Sequence, residues 1–385
     1  VAVGQPGKAR PVAVPSELLV GDARAVTDAS DIDVVVEVIG GIEPARTYIT
    51  AAIARGKSVV TANKQLMASR GGELLEAAAA AKSDLLFEAS VGGGIPVVKA
   101  ITESLAGNVV HQIMGILNGT TNFILTRMSH DGVGFGEALV AAQQRGFAEN
   151  DPSDDIDGHD AAAKLAILAT AAFGSRIVGD DVYREGISGI TTRDIAYARD
   201  LGYVVKLLAI ARNANGAIEA RVHPALLPRD HPLATVTEEL NAVMIDGDPV
   251  GPVVLEGRGA GGGPTASAVV GDLIDVARNL RTGQRGRIPH VSASPRPILD
   301  IVGIVVPYCI FLEVADRPGV FARVATIFGE EGVSIDSIVQ KSRGVTADVV
   351  LVTHEAREAE MQRVLARLRA ADVVTSVHTV LRIAA

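Results

Sequence analysis

Asp33-Val34-Val35-Val36-Glu37-Val38-Ile39-Gly40-Gly41 is a short apolar run closed by two glycines. Four valines in six residues favour a pleated, buried strand, and paired glycines favour a turn. Pro44 to Arg55 follows and reads as a helix with proline in its first turn. Lys57 to Thr61 is a second short strand, Glu73 to Lys82 an alanine-rich helix, and Asp84 to Glu88 a third strand. Strands that alternate with helices predict a parallel sheet of doubly wound type.

Beyond Val91 the pattern changes. Pro96 to Leu105 reads as a helix, Val109 to Leu117 as a strand, and 120–129 and 136–145 as helices. Glu149 to Asp157 is acidic and almost without apolar residues, and Gly158 to Ala172 is again helical. Strand-like segments at 204–212, 217–223, 241–246 and 250–255 predict a largely antiparallel sheet. The glycine-rich stretch from Arg258 to Pro264 leads into a helix reaching Arg281. Residues 282–304 are rich in Arg, Pro, Gly and Ser and read as a linker. The last segment runs strand, helix, strand, strand, helix, strand, which is the ferredoxin-like order.

The expected fold is α/β in three parts. Residues 1–90 form a Rossmann-type nucleotide domain, with the helix at 264–281 expected to pack back on it. Residues 91–281 form an α+β substrate and dimerisation domain, and 305–385 a ferredoxin-like domain.

The 385 residues suffice for two or three domains. The net charge of −9 argues against a general nucleic-acid binder, which is ordinarily basic. No apolar run approaches the roughly 20 residues of a membrane helix, so no membrane partner is expected. A single cysteine, Cys309, excludes an intramolecular disulfide and a cysteine-rich zinc site, and a reducing cytoplasm is the simple compartment. The chain opens on Val1-Ala2-Val3, without the basic and apolar regions of a signal peptide.

The densest chemical signal lies between Ala142 and Lys164. Asp160 and Lys164 are four apart on a helix and share a face. A lysine on that otherwise apolar helix is partly desolvated, which lowers its pKa, and the neighbouring carboxylate raises it back. Such a lysine can give a proton to a developing alkoxide. Glu149, Asp151, Asp154, Asp155 and Asp157 add carboxylates able to hold a substrate ammonium. On these residues alone, a surface ion pair beside a solvated acidic loop stays open. An EF-hand does not, because the twelve-residue spacing and closing glutamate are missing.

The stretch resembles the signature of homoserine dehydrogenase. Ala142, Gly146, Phe147, Ala148, Asp151, Pro152, Asp155, Gly158, Asp160 and Lys164 fill its fixed positions. The resemblance covers essentially residues 1–281. It implies interconversion of L-homoserine and L-aspartate 4-semialdehyde, with Lys164 and Asp160 catalytic and Glu149, Asp155, Lys64 and Thr120 at the substrate. Thr61-Ala-Asn-Lys64 is similar to a segment whose lysine serves cofactor and substrate, and Asn118-Gly-Thr-Thr-Asn122 to one flanking the pocket. Gly257 to Gly263 is similar to a turn approaching the nicotinamide, which assigns Gly259 and Gly261 to the cofactor, with Gly40 beside them. Glu88-Ala-Ser-Val91-Gly-Gly93-Gly-Ile95 resembles a loop for Na+ or K+, held by the Glu88 carboxylate and the carbonyls of Val91, Gly93 and Ile95.

The family carries a Gly-x-Gly-x-x-Gly phosphate turn after its first strand. Val1-Ala2-Val3 matches the second strand instead, so an incomplete nucleotide domain is expected. The loop Gly4 to Arg10 carries Lys8 and Arg10 and no acid, which favours NADP over NAD. The last 80 residues resemble an ACT regulatory domain, commonly a threonine binder in this family. Asp316-Arg-Pro-Gly-Val320, Asp336 and Gln340 are the expected effector contacts, and a homo-oligomer, dimer or tetramer, is implied. The alternative is a catalytically impaired chain acting as a threonine-binding regulatory subunit.

Overall fold

The computed structural model describes residues 1–10, 12–284, 295–342 and 344–384. Residues 285–294, within the expected linker, lie outside the described residues. Three strands, β1 (Val34–Glu37), β2 (Ser58–Thr61) and β3 (Leu85–Leu86), form a parallel sheet in the order β1-β2-β3. Every residue of β2 is buried, as expected of a central parallel strand. Among the described residues no strand pairs with the outer edge of β1.

Helix α1 (Ala45–Ala54) lies between β1 and β2, and α2 (Lys64–Ala81) between β2 and β3. The latter starts nine residues earlier than the sequence predicts. The Asn63 side chain accepts the Leu66 amide at 3.0 Å and so caps the helix at Lys64. Gly71 and Gly72 disfavour a helix by propensity, but both are buried. A side chain at Gly71 would press on Met67, and one at Gly72 on Arg176. Packing overrides propensity there. Val1–Val3 does not join this sheet. Ala2 forms an isolated bridge to Val20, with the Val3 amide on the Val20 carbonyl at 3.0 Å.

Apart from a two-stranded pair, Val305–Val306 with Ala356–Arg357, the other strands form one large sheet. Its path runs through β4 (Val109–Ile116), β5 (Tyr203–Ala214), β6 (Ala217–Pro228), β7 (Leu240–Asp248) and β8 (Gly251–Arg258). It continues through β9 (Tyr308–Ala315), β10 (Ile335–Gln340), β11 (Thr346–Thr353) and β12 (Val374–Ile383). The order is β10-β11-β9-β12-β6-β5-β4-β7-β8. The four C-terminal strands keep the ferredoxin-like order, with α8 (Val320–Glu330) and α9 (Glu358–Ala370) as their helices. This unit is not a separate sheet. Strand β12 pairs in parallel with β6 at Arg382 to Ala225 and Ile383 to Leu226. Arg382 is buried at that seam and bonds Glu358 and Glu185, both at 2.9 Å.

Helices α3 (Gly119–Asp131), α4 (Phe135–Gln144) and α5 (His159–Phe173) belong to the middle of the chain. Leu165 and Leu168 of α5 and Phe123 of α3 are fully buried, in one core with Leu66 of α2 and Val222 of β6. Truncating such a leucine to alanine costs about 2–5 kcal/mol. Helix α6 (Thr192–Asp200) was not predicted. It is polar overall, and its signal is the capping box of Thr191 and Asp194. The segment predicted helical from Pro96 to Leu105 is a short turn, Val97–Lys99, followed by a π-helical turn, Ala100–Ser104.

Helix α7 (Gly262–Thr282) returns to the first sheet. The Glu88 amide donates to Asp272 at 3.0 Å, and Asn279 to Asp84 at 2.9 Å. No helix is long and apolar enough to cross a membrane among the described residues.

Candidate active site

Lys64 opens α2 at the carboxyl end of β2, the edge where open α/β sheets bind ligands. Asp160 sits in the first turn of α5, 4% exposed. The Lys64 ammonium bonds Asp160 Oδ1, joining residues 96 apart in sequence. Lys164, one turn further along α5, bonds Asp160 Oδ2 at 2.7 Å and the Leu117 carbonyl at 2.8 Å. Two cations therefore share one buried carboxylate. Burial works against the charge on Asp160, but Lys164 and Lys64 outweigh it and hold the carboxyl well below its usual range. Burial likewise opposes the Lys64 charge, and Asp160 outweighs it, so the ammonium is held above its ordinary value.

Asp155 lies on a short helical turn, Ser153–Ile156, in the acidic loop. Burial raises its pKa, against the hydrogen bond from Asn118 at 2.6 Å. Thr120, also buried, donates its hydroxyl to the Phe147 carbonyl at 2.7 Å and thereby ties α3 to the segment entering that loop. Glu149 is not brought into this cluster. It is exposed, and its side chain makes no hydrogen bond or ion pair among the described residues.

The glycine segments do converge. The Gly94 amide donates to the Arg258 carbonyl at 3.1 Å. A side chain at Gly93 would lie 2.6 Å from the Gly259 backbone, and one at Gly259 would overlap the Asn241 amide. Gly261 has φ +114° and starts α7, a conformation that glycine permits. Asn241 is buried, and among the described residues neither its Nδ2 nor its Oδ1 has a partner. A buried amide left this way is costly.

Four of the expected contacts also have partners within the chain. Both oxygens of Glu88 accept amides, Val98 and Lys99 at 2.8 Å each. The start of the 97–99 turn leaves those donors free, and the carboxylate satisfies both with one oxygen each, which keeps a second lone pair on each oxygen. The pKa of Glu88 is pushed up to about 7, chiefly by burial. The Ile95 carbonyl accepts the Val97 amide at 2.8 Å. The Gly40 amide, with φ +82°, faces the Glu37 carboxylate at 3.2 Å. Arg10 spends its guanidinium on the carbonyls of Gln5, Pro6 and Lys8, leaving Lys8 as the exposed cation of that loop. Among the described residues no three His, Cys, Asp or Glu side chains are grouped to hold a metal.

In the C-terminal unit, Gln340 donates to Asp316 at 3.4 Å and to the Ser342 carbonyl at 2.9 Å. Asp336 is turned to His354, 3.6 Å away, and does not join them.

Residues missed by the sequence reading include Asn118, whose amide lies against both Asp155 and Asp160. Its only signal was membership of the Asn118–Asn122 segment.

Residues 96–274 match the homoserine dehydrogenase family, 1–88 its NAD-binding domain and 309–373 the ACT domain. Homoserine dehydrogenase from Corynebacterium glutamicum is 46% identical over 389 residues, spanning 100% of this chain and 87% of that protein. The crystal structure of a homoserine dehydrogenase from Thiobacillus denitrificans superposes with a TM-score of 0.89 at 44% identity, covering 95% of this chain and 85% of that one. A hyperthermophilic archaeal homoserine dehydrogenase in complex with NADPH gives a TM-score of 0.59 at 32% identity, covering 67% and 75%.

Proposed function

This chain belongs to the homoserine dehydrogenase family, and from that premise we propose how its residues divide the reaction. It is an oxidoreductase of amino-acid biosynthesis that interconverts L-homoserine and L-aspartate 4-semialdehyde with a nicotinamide cofactor. The impaired-subunit alternative is not supported, because relatives that match the whole chain are dehydrogenases and the lysine cluster is assembled.

The residues present fit the nicotinamide end of the cofactor. Gly93 and Gly259 bring two backbone segments into close contact beside Asn241, whose amide lacks a partner among the described residues, and Gly261 next to them is exposed. Lys64, Gly259 and Gly261 would hold that group, which when bound supplies or accepts a hydride.

In the reducing direction the aldehyde carbon gains a hydride, and its oxygen takes a proton from the Lys164 ammonium. Of the three N–H groups of Lys164, Asp160 and the Leu117 carbonyl take two, and the third is left for the substrate oxygen. In the oxidising direction Lys164, then neutral, accepts that proton. Asp160 aims Lys164 and keeps Lys64 beside it. Asp155 holds the substrate ammonium, with Glu149, exposed in the same loop, as the second carboxylate proposed for it.

The convergence of Lys64 and Lys164 on one buried Asp160 carries this reading. Lys164→Ala tests it. Loss of a positioned proton donor lowers turnover about 10²–10⁴-fold. The expected melting temperature stays near the parent's. Turnover close to the parent's would overturn the role.

NADP is favoured over NAD, on the exposed Lys8 and the absence of an acid in its loop. A monovalent cation, Na+ or K+, would take the carbonyls of Val91, Gly93 and Ile95. Glu88, which accepts one amide on each oxygen, keeps a lone pair on each to join that set. L-Threonine is the proposed effector of the C-terminal unit, with Asp316 and Gln340 adjacent, in a homo-oligomer. The single buried cysteine suits a cytoplasmic enzyme.

A further inference from the structure

Asn118 stands between the two carboxylates of the site. Its Nδ2 is 2.6 Å from Asp155 Oδ1 and 2.9 Å from Asp160 Oδ2. Its Oδ1 accepts the Thr121 amide at 2.8 Å and the Thr121 hydroxyl at 3.0 Å. Both N–H donors of the amide are used and its oxygen takes the Thr121 N–H, while the Thr121 hydroxyl, with one proton, lies between that oxygen and the Asn118 carbonyl at 3.1 Å. The side chain is 4% exposed, so water does not compete for them. This network fixes the amide's orientation. A flipped amide would point oxygen at two carboxylates and nitrogen at the Thr121 N–H.

Asn118 is the last residue before α3 and caps that helix. Asp155 lies on the short 153–156 turn, and Asp160 on the first turn of α5. The preceding residue, Leu117, offers its carbonyl to Lys164. One side chain thus ties together three helical starts that carry the proposed chemistry. Two carboxylates this close repel each other, and each needs its own share of positive charge or donors. Lys64 and Lys164 both go to Asp160, and among the described residues Asp155 has no ion pair of its own.

We propose that Asn118 is a positioning residue that bridges the two carboxylates with one neutral amide. One N–H holds Asp155 toward the substrate's ammonium, and the other keeps Asp160 facing the lysines. This rests on the role given to Asp155 above. The cap alone does not need asparagine, because serine and aspartate cap as well. The bridge does need it. Serine is too short to reach both carboxylates, and aspartate would add a third negative charge.

The test compares the full chain with Asn118→Ser, Asn118→Asp and Asp155→Asn in homoserine oxidation from about pH 6 to about pH 9. Asn118→Ser is expected to raise KM for homoserine about tenfold, with kcat changed less than about threefold. The acid limb of kcat/KM moves to higher pH, because Asp155 loses a hydrogen bond that favours its charged form. A purely capping residue would move neither, since the cap is retained. Parental KM and pH profile in Asn118→Ser, with KM raised in Asp155→Asn, would overturn the proposal. Parental KM in Asp155→Asn would instead remove the reading beneath it, and the proposal with it. Should Asn118→Ser fail to fold, Asn118→Asp decides, since it keeps the same side-chain length: raised KM supports the bridge and parental KM overturns it.

Discussion

Asn118 and Asn122 lie one helical turn apart at the start of α3, and they serve opposite kinds of lysine. Asn118 faces the crevice, where Lys64 and Lys164 share the Asp160 carboxylate. Asn122 faces the interior, where its Oδ1 accepts from Lys206 at 2.9 Å. Lys206 is 2% exposed, and its other partner is the Val236 carbonyl. No carboxylate pairs with it among the described residues. Burial alone pushes its pKa down to about 8. Burial also opposes the charge on Lys64, yet Asp160 outweighs it and Lys64 is held above its ordinary value. Lys206 is sealed from water without a carboxylate, whereas Lys64 stays 41% exposed beside one, and both differences favour the charged form at the crevice. A charged lysine at the crevice can move a proton, whereas Lys206 holds α3 to the 236–240 segment.

The contrast can be broken at its carboxylate. Asp160→Asn leaves two ammonium groups around a neutral amide, and kcat/KM for homoserine is expected to fall on the order of 10²-fold. Steady-state rates check this, and a change under about threefold would show that the shared charge is not needed.

The interior side gives a smaller effect, on stability alone. Below pH 8, Lys206 is charged in both folded and unfolded chains, and its burial penalty is constant. Between about pH 8 and about pH 10.4 the folded lysine sheds its proton while the unfolded one keeps it, so stability rises with pH there. Lys206→Met removes that slope. Denaturant melts at a series of pH values measure it, and equal slopes in parent and variant would contradict the assignment.

The smallest effect is expected far from both clusters. Lys8→Ala should raise KM for NADP about threefold and leave NAD unchanged, because an exposed ammonium contributes little. Initial rates with the two cofactors sharpen the comparison, and equal changes for both would remove Lys8 from the phosphate.

Much of this was legible in the chain. The valine run of β1 and the buried β2 announced a parallel sheet, and the last segment announced its strand order. Asp160 and Lys164 could be paired by helical spacing alone. Lys64 could not, because no local pattern links it to a residue 96 positions away. Asn118 was hidden because an N-cap asparagine looks alike whether or not its amide does a second task. The start of α2 was obscured by Gly71 and Gly72, whose reason lies in the packing of Met67 and Arg176. The commitment of Glu88 to two backbone amides depends on a turn that the sequence made look like a longer helix.

The most direct test sets the two kinds of lysine side by side. Homoserine-dependent reduction of NADP+ would be measured for the full chain, Lys164→Ala and Lys206→Met under identical conditions. The account predicts a rate at least about 10²-fold lower for Lys164→Ala and a rate within about twofold of the parent for Lys206→Met. A Lys164→Ala chain that keeps the parental rate, or two variants that fall equally, would contradict it.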